Sequence, residues 1–334
     1  MKCAAGIRKR RLLWQKMLPA LAAAGLLVGG TNTARADTSG AAISPIMALQ
    51  VSALGGKAPL TAETAQVAPA AADVSLPMIT PPSPLAPLPA TNVGSVSGEP
   101  MPVGDIPGWH QVFSDDFTST VPTGSFPAAV SSTWSAYPDG WPDTSHNGTY
   151  MPSRVLSEHD GVLDMYLHTD NGVHMVAAPL PNIPGAVGSA GGLLYGRYAM
   201  RFHADSIPGY KTAWLLWPDS ERWPANGEID LPEGSLDSSI CGFLHYQNAT
   251  SGSDQAAFCP GLTFTGWHTA VVEWTMSSVK FYLDGGLIGT VRSNIPSSPM
   301  HWVLQTETNN ISAPPSDSAA GHVLVDWVSV YTPA

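Results

Sequence analysis

Three carboxylates fall close together in the stretch Asn-Gly-Glu-Ile-Asp-Leu-Pro-Glu-Gly that runs from Asn226 to Gly234: Glu228, Asp230 and Glu233. Side chains alternate along a strand, so Glu228 and Asp230 share a face, while strict alternation would turn Glu233 to the other. A β-bulge inserts one extra residue and restores the parity. Leu231-Pro232 is the expected place for it, because proline cannot donate to the ladder and inside sheets is confined to edges, strand starts and bulges. With the bulge, Glu228 and Glu233 stand about four pleat steps apart, roughly 13 Å between Cα atoms at about 3.3 Å per residue. Two glutamate side chains leaning together close about half of that. The result approaches the roughly 5–5.5 Å at which one carboxyl attacks a sugar and the other protonates the leaving oxygen with retention. Three carboxyls so close cannot all ionise cheaply, so at least one should hold its proton above the usual range, as a general acid needs. The spacing alone also fits a solvated strand edge or part of a calcium loop.

Trp214, Trp217 and Trp223 lie just upstream. Flat apolar rings suit the C–H faces of sugars, yet tryptophan in an Ala-Trp-Leu-Leu-Trp run is more often core, so at least one of the three is expected to be structural. The elements around them read as strands. From Trp109 onward aromatics appear throughout, and β-rich runs at 112–117, 161–168, 195–203, 271–274, 279–283 and 322–331 are punctuated by Gly, Pro, Asn and Asp. Long amphipathic helices are not evident. The pattern suits one all-β sandwich domain over residues 109–334, with a core large enough to fold without a cofactor.

The chain before that domain is of another kind. Residues 1–36 read as a secretion signal peptide: a basic start (Lys2, Arg8, Lys9, Arg10, Arg11, Lys16), an apolar run from Met17 to Gly30, and Ala34-Arg-Ala36 as a small-residue cleavage site. The apolar run is short for a membrane span; an uncleaved anchor is the alternative. Residues 37–108 hold no aromatic side chain, few charges and much Ala, Pro, Ser and Thr, the composition of a disordered linker. Loss of the signal, with seven basic residues and no acids, takes the formal charge from −11 to −18. So acidic a protein should repel nucleic acid and sulfated polysaccharides and accept neutral or cationic substrates. Cys3 leaves with the signal, so Cys241 and Cys259 are expected to pair as a disulfide in an oxidising compartment, extracellular or periplasmic; two buried free thiols are the alternative. No zinc-ligand run, phosphate-binding glycine loop or Gly-x-Ser-x-Gly elbow appears.

The segment from Trp223 to Glu233, Trp-Pro-Ala-Asn-Gly-Glu-Ile-Asp-Leu-Pro-Glu, resembles the active-site strand of glycoside hydrolase family 16 in its bulged E-x-D-x-x-E form. Other segments resemble that family in the same order: 195–198, Lys211 to Pro218, 267–274 followed by 279–285, and 325–331. The resemblance covers about residues 109–333. It implies a jelly-roll β-sandwich (concanavalin-like) with an open substrate cleft, and a retaining mechanism. Glu228 matches the nucleophile, Glu233 the general acid/base and Asp230 the assisting carboxylate.

The resemblance also extends the candidate site. His245, on the following strand, would cross the cleft floor and hydrogen-bond a carboxylate or a sugar hydroxyl; a satisfied core histidine is the plainer reading. Gln305 and Glu307 alternate onto one face of a strand expected to border the cleft, where they could read sugar hydroxyls; an exposed strand face is the alternative. Arg197 either braces the active site from a neighbouring strand or pairs with a surface acid. No cofactor is expected. Some relatives carry a structural calcium, and Asp326 with Asp115 and Asp116 could supply hard oxygen ligands for one. Asn147, Asn248 and Asn310 match the glycosylation pattern by form only.

The expected function is a secreted, monomeric endo-acting β-glucanase of the laminarinase type, acting on a polysaccharide, with no nucleic-acid partner and no membrane span once the signal is cleaved. Pro232, where a methionine is common in laminarinases, and the 305–310 stretch, where they carry a glycine-rich loop, leave the linkage open. A transglycosylase or a depolymerase of a bacterial exopolysaccharide is the close alternative. A lectin-like binding module shares the architecture, but three like charges on one strand would cost such a module stability and contribute little to neutral sugar binding.

Overall fold

A computed structural model describes residues 95–309 and 313–334. The expected signal peptide, most of the expected linker and Asn310 lie outside the described residues. The first strands in chain order are β1 (Trp109–Asp115), β2 (Trp134–Ala136), β3 (Trp141–Pro142), β4 (Gly148–Tyr150), β5 (Leu156–His159), β6 (Val162–Asp170), β7 (Val173–Val176), β8 (Pro179–Pro181) and β9 (Gly196–Ala204). There follow β10 (Tyr210–Pro218), β11 (Glu228–Ser235), β12 (Cys241–His245), β13 (Gln255–Phe258), β14 (His268–Trp274), β15 (Val279–Leu283), β16 (Gly286–Val291), β17 (Met300–Thr308) and β18 (Gly321–Pro333).

They assemble into the expected jelly-roll sandwich. An outer sheet runs β16-β15-β14-β9-β18-β6-β7-β4-β3, with β1 added to β18 and β5 to β6; an inner sheet runs β13-β12-β11-β10-β17. Every pairing in the inner sheet is antiparallel. Neighbours in the sheets are distant in sequence, β10 pairing with β17 and β9 with β18, so the hydrophobic patterning of many strands must agree before the sandwich closes.

The core lies between the two sheets. Aromatic pairs cross it: Phe202 on β9 meets Trp214 on β10 edge-on at 5.4 Å, Tyr198 meets Trp302 on β17 at 5.4 Å, and Phe258 on β13 meets Phe281 on β15 at 5.6 Å. Buried rings of this size, in offset or edge-on geometry, supply much of the apolar area that holds two sheets together. Period-two alternation then fixes which residues look the other way. On β10, Trp214 points into the core, so Lys211, Ala213, Leu215 and Trp217 face outward. The site is on that outer face.

Residues 95–108, assigned from composition to the linker, instead bind to the far side of the outer sheet. Arg201 on β9 pairs with Glu99 at 3.0 Å, the Trp327 indole donates to the Glu99 carbonyl at 2.9 Å, and Met101 packs on Ala199, Val271, Tyr282 and Trp327. Composition missed this because the partners that order the segment, polar and apolar, lie far along the chain on β9, β14, β15 and β18.

The same segment engages one of the carboxylates named as a possible calcium ligand. Asp326 Oδ2 accepts hydrogen bonds from the Ser95 and Ser97 hydroxyls, both at 2.5 Å. Arg201 Nε lies 3.0 Å from Ser97 Oγ, where a guanidinium opposes a divalent cation. Asp115 is engaged by the Phe117 amide and the Trp134 indole, and Asp116 by Thr118. Each of the three carboxylates is thus engaged by donors of the protein itself. Cys241 and Cys259 form the expected disulfide. Among the described residues, no helix is long and apolar enough to cross a membrane.

Candidate active site

β11 carries the three acids, and the bulge falls where proline predicted it. Asp230 pairs with Phe243 and Glu233 with Cys241, so three steps on β11 oppose two on β12; the register against β10 slips in the same place. Glu228, Asp230 and Glu233 therefore face the same way. Just before the strand, Gly227 has φ 73°, and a Cβ there would stand 2.7 Å from the His245 carbonyl oxygen. Only glycine lets the chain pass so close to β12 in that conformation.

The acids are buried, Glu228 and Asp230 at 2 % exposure and Glu233 at 9 %. Their surroundings differ. Glu228 accepts the Trp223 indole N–H at 2.7 Å, and the Trp223 ring stacks on Trp217 with centroids 6.1 Å apart. Burial and then the Glu233 charge push the Glu228 carboxyl up to about 8, although the indole hydrogen bond works the other way. Burial, followed by the Glu228 and Glu233 charges, also holds Asp230 well above the carboxylate range. Asp230 Oδ2 is buried and meets no hydrogen-bond partner among the described residues. Both carboxyls of the pair are thus held above the ordinary carboxylate range.

His245 lies directly opposite Glu228 in register. Its Nδ1–H donates to the Gly252 carbonyl at 2.9 Å, which leaves Nε2 as the lone-pair atom. Nε2 looks at Glu228 Oε2 from 3.7 Å and at Asp230 Oδ2 from 3.8 Å. Burial holds the imidazole below its ordinary value, hence neutral. Glu228, Asp230 and His245 are the grouping among the described residues with the donor set of a metal site, their donor atoms all within 4.8 Å of one another.

Glu233 is held differently. Lys211, a residue the sequence reading passed over, places Nζ 2.8 Å from Glu233 Oε1 and is itself 4 % exposed. Burial works against this ammonium, yet Glu233, Glu307 and Asp230 outweigh it and hold it above its usual value. Glu307 stands opposite Lys211 on β17, and its Oε1 accepts from the Tyr150 hydroxyl at 3.0 Å and the Thr144 amide at 3.2 Å. Burial, the largest influence, lifts the Glu307 carboxyl above its ordinary range. Gln305 faces Ala213 on the same side of β17. Tyr137 meets Tyr150 edge-on at 5.2 Å, and burial and the charges of Glu221, Glu307 and Glu228 raise its hydroxyl. Tyr137, Tyr150 and Lys211 went unread. For Lys211 the signal was present: it has the parity of Trp217 along β10.

Two expected site residues lie elsewhere. Trp214 is fully buried against Phe202, because it has the opposite parity to Trp217. Arg197 is on β9 in the outer sheet, 3.4 Å from Glu273 and over the Tyr331 ring, on the face turned away from the acids. A local motif could not show that β9 belongs to the other sheet.

Residues 144–329 match the sequence profile of "Glycosyl hydrolases family 16", more than half of the chain. The endo-1,3-1,4-beta-glycanase EglC of Rhizobium meliloti is 26% identical over 144 residues, 41% of this chain and 30% of that protein. A beta-glucanase of Paenibacillus macerans is 26% identical over 105 residues, 31% of this chain and 44% of the relative. The aligned stretches thus span less than half of these relatives. Among solved structures, the laminarinase from Rhodothermus marinus superposes with a TM-score of 0.56 at 20% identity, covering 68% of this chain and 98% of the other. The catalytic domain of an endo-1,3-beta-glucanase from Thermotoga petrophila gives 0.54 at 19% identity, covering 69% and 99%. At these identities the structures speak for the fold.

Proposed function

Because the chain belongs to glycosyl hydrolases family 16, we propose that it is an exported, endo-acting β-glucanase that cleaves β-1,3 or mixed β-1,3/1,4 linkages with retention of configuration. The observation that carries this reading is the bulged strand that turns Glu228, Asp230 and Glu233 to one face in unlike surroundings. Glu228 attacks the anomeric carbon and Glu233 protonates the departing oxygen; Glu233 then takes a proton from water as the glycosyl ester on Glu228 is hydrolysed. Asp230 donates to Glu228 and so limits repulsion between the two acids. The stacked Trp217 and Trp223 rings offer an apolar wall beside the nucleophile. The linkage follows the relatives, named as an endo-1,3-1,4-beta-glycanase and a beta-glucanase. Export is supported by the signal-like first 36 residues and by a disulfide, which persists in oxidising compartments.

The test uses the full chain with Glu228→Gln as the blank, incubated with laminarin, mixed-linkage glucan, curdlan, xyloglucan, agarose and a succinoglycan-type polymer. Oligosaccharides released from laminarin or mixed-linkage glucan by the wild type alone, appearing first as the β-anomer by NMR, are the expected result. An α-anomer seen first would rule out retention. More than roughly a few per cent of activity left in Glu228→Gln would remove Glu228 as nucleophile.

A further inference from the structure

A buried ammonium is costly, and replacing an ion pair by apolar groups of similar size is often neutral or stabilising. Lys211 is nonetheless buried, on a strand whose other outward residues are Ala213, Leu215 and Trp217, and its single charge is aimed at Glu233. Glu307 is opposite, tied by Tyr150 and Thr144. The other basic group beside the acids, His245, is held neutral and faces Glu228 and Asp230. Arg197 and Lys280 both pair with Glu273, and Arg201 pairs with Glu99, all on the outer sheet. Among the described residues, then, Lys211 is the cation that meets Glu233.

We propose that Lys211 is a positioning residue that stabilises the negative charge Glu233 acquires as it gives up its proton, and so makes Glu233 an effective acid toward unactivated sugar leaving groups. This rests on the assignment of Glu233 as acid/base. In the first step the bond from the anomeric carbon to the glycosidic oxygen breaks and the bond to a Glu228 oxygen forms. The Glu233 proton passes to the departing oxygen, and Glu233 becomes anionic 2.8 Å from a fixed ammonium. In the second step water forms the new bond to the anomeric carbon, the ester to Glu228 breaks, and the water proton goes to Glu233. In the substrate complex competent for the first step Glu233 carries its proton, so its charge grows in that step and a preorganised ammonium favours the transition state over that complex. A leaving group that departs without a proton gains nothing from it.

That difference is the test. The full-length wild type, Lys211→Met, Lys211→Arg and Glu233→Gln are compared on a β-glucan oligosaccharide and on the dinitrophenyl glycoside of the same sugar. Lys211→Met should lower kcat/KM on the oligosaccharide roughly 10- to 100-fold, the kinetic equivalent of one charge-assisted hydrogen bond. On the dinitrophenyl glycoside it should lose less than about threefold. Lys211→Arg should recover most of the loss, and Glu233→Gln should show the same asymmetry more strongly. If Lys211→Met does not fold, Lys211→Gln, which is polar but uncharged, gives the same comparison. Equal losses on both substrates, or none on either, would overturn the proposal while the Glu233→Gln asymmetry keeps the acid/base assignment intact. Loss of that asymmetry in Glu233→Gln would overturn the assignment and this inference with it.

Discussion

The Trp223 indole N–H donates to Glu228 Oε2 at 2.7 Å, and the same ring stacks on Trp217 and meets His245 edge-on. One side chain therefore both shapes the aromatic wall and stabilises the Glu228 carboxylate. Burial and the Glu233 charge oppose that anion, so the indole hydrogen bond matters most where the carboxylate is least favoured. Trp223→Phe keeps an aromatic ring and removes the donor. A charge-assisted hydrogen bond contributes about 1.5–3 kcal/mol, so kcat/KM should fall roughly 10- to 100-fold. The acidic limb of its pH profile should move to higher pH, because Glu228 must be ionised to attack. An unmoved limb would show that the N–H does not act on Glu228.

Stability should depend on pH through the same carboxyl. The Glu228 value rises from 4.5 to about 8 on folding, mainly by burial. A carboxyl raised in this way binds more protons folded than unfolded between those values, so its contribution is full below 4.5 and is lost as pH rises through about 8. Glu228→Gln removes the charge and keeps the shape. The variant should therefore be more stable than wild type at pH 8, by on the order of a few kcal/mol, and unfold at a higher temperature, with much less advantage at pH 5. Thermal scans of both proteins at the two pH values decide it. A difference independent of pH would mean that Glu228 does not carry the linkage.

Trp214 and Trp217 are three residues apart and should separate stability from activity. Trp214 is fully buried in the core against Phe202, and its truncation to alanine should cost about 3–5 kcal/mol of stability, read from the denaturant midpoint. Trp217 is partly exposed beside Trp223. Trp217→Ala should leave the midpoint within about 1 kcal/mol and raise KM on the glucan. The reverse pattern would place the sugar wall elsewhere.

How far the sequence could be read follows the range of each interaction. The Leu231-Pro232 bulge was legible because proline's missing donor is a local fact, and the bulge alone set the face of Glu233. His245 was legible as the next strand's crossing of the same floor. Parity counted from Trp217 would have sent Trp214 to the core and brought Lys211 to the acids, so both were present in the pattern and unread. Arg197 was not legible. Its place depends on β9 pairing with β14 and β18, strands about 75 and 130 residues further on, and local spacing carries no such information. Residues 95–108 escaped for a related reason: their order comes from Asp326, Arg201 and Trp327, far along the chain.

Cys241 is the cross-strand partner of Glu233 and is bonded to Cys259, 18 residues on. The bridge thus closes a loop whose near end lies beside Glu233. In the chain-entropy model a loop of this length contributes on the order of 3 kcal/mol, and opening it also frees the end of β12 against which Glu233 is registered. Cys241→Ser with Cys259→Ser should lower the unfolding free energy by about that amount. Glu233 should be held less firmly, so kcat should fall more than KM changes on a glucan. The matched measurement is the wild type with and without reductant, with thiols counted by reagent to show that the bridge has opened. Reduction that lowers stability but leaves kcat unchanged would show that β10 and Lys211, on the other side of β11, are enough to hold Glu233 in place.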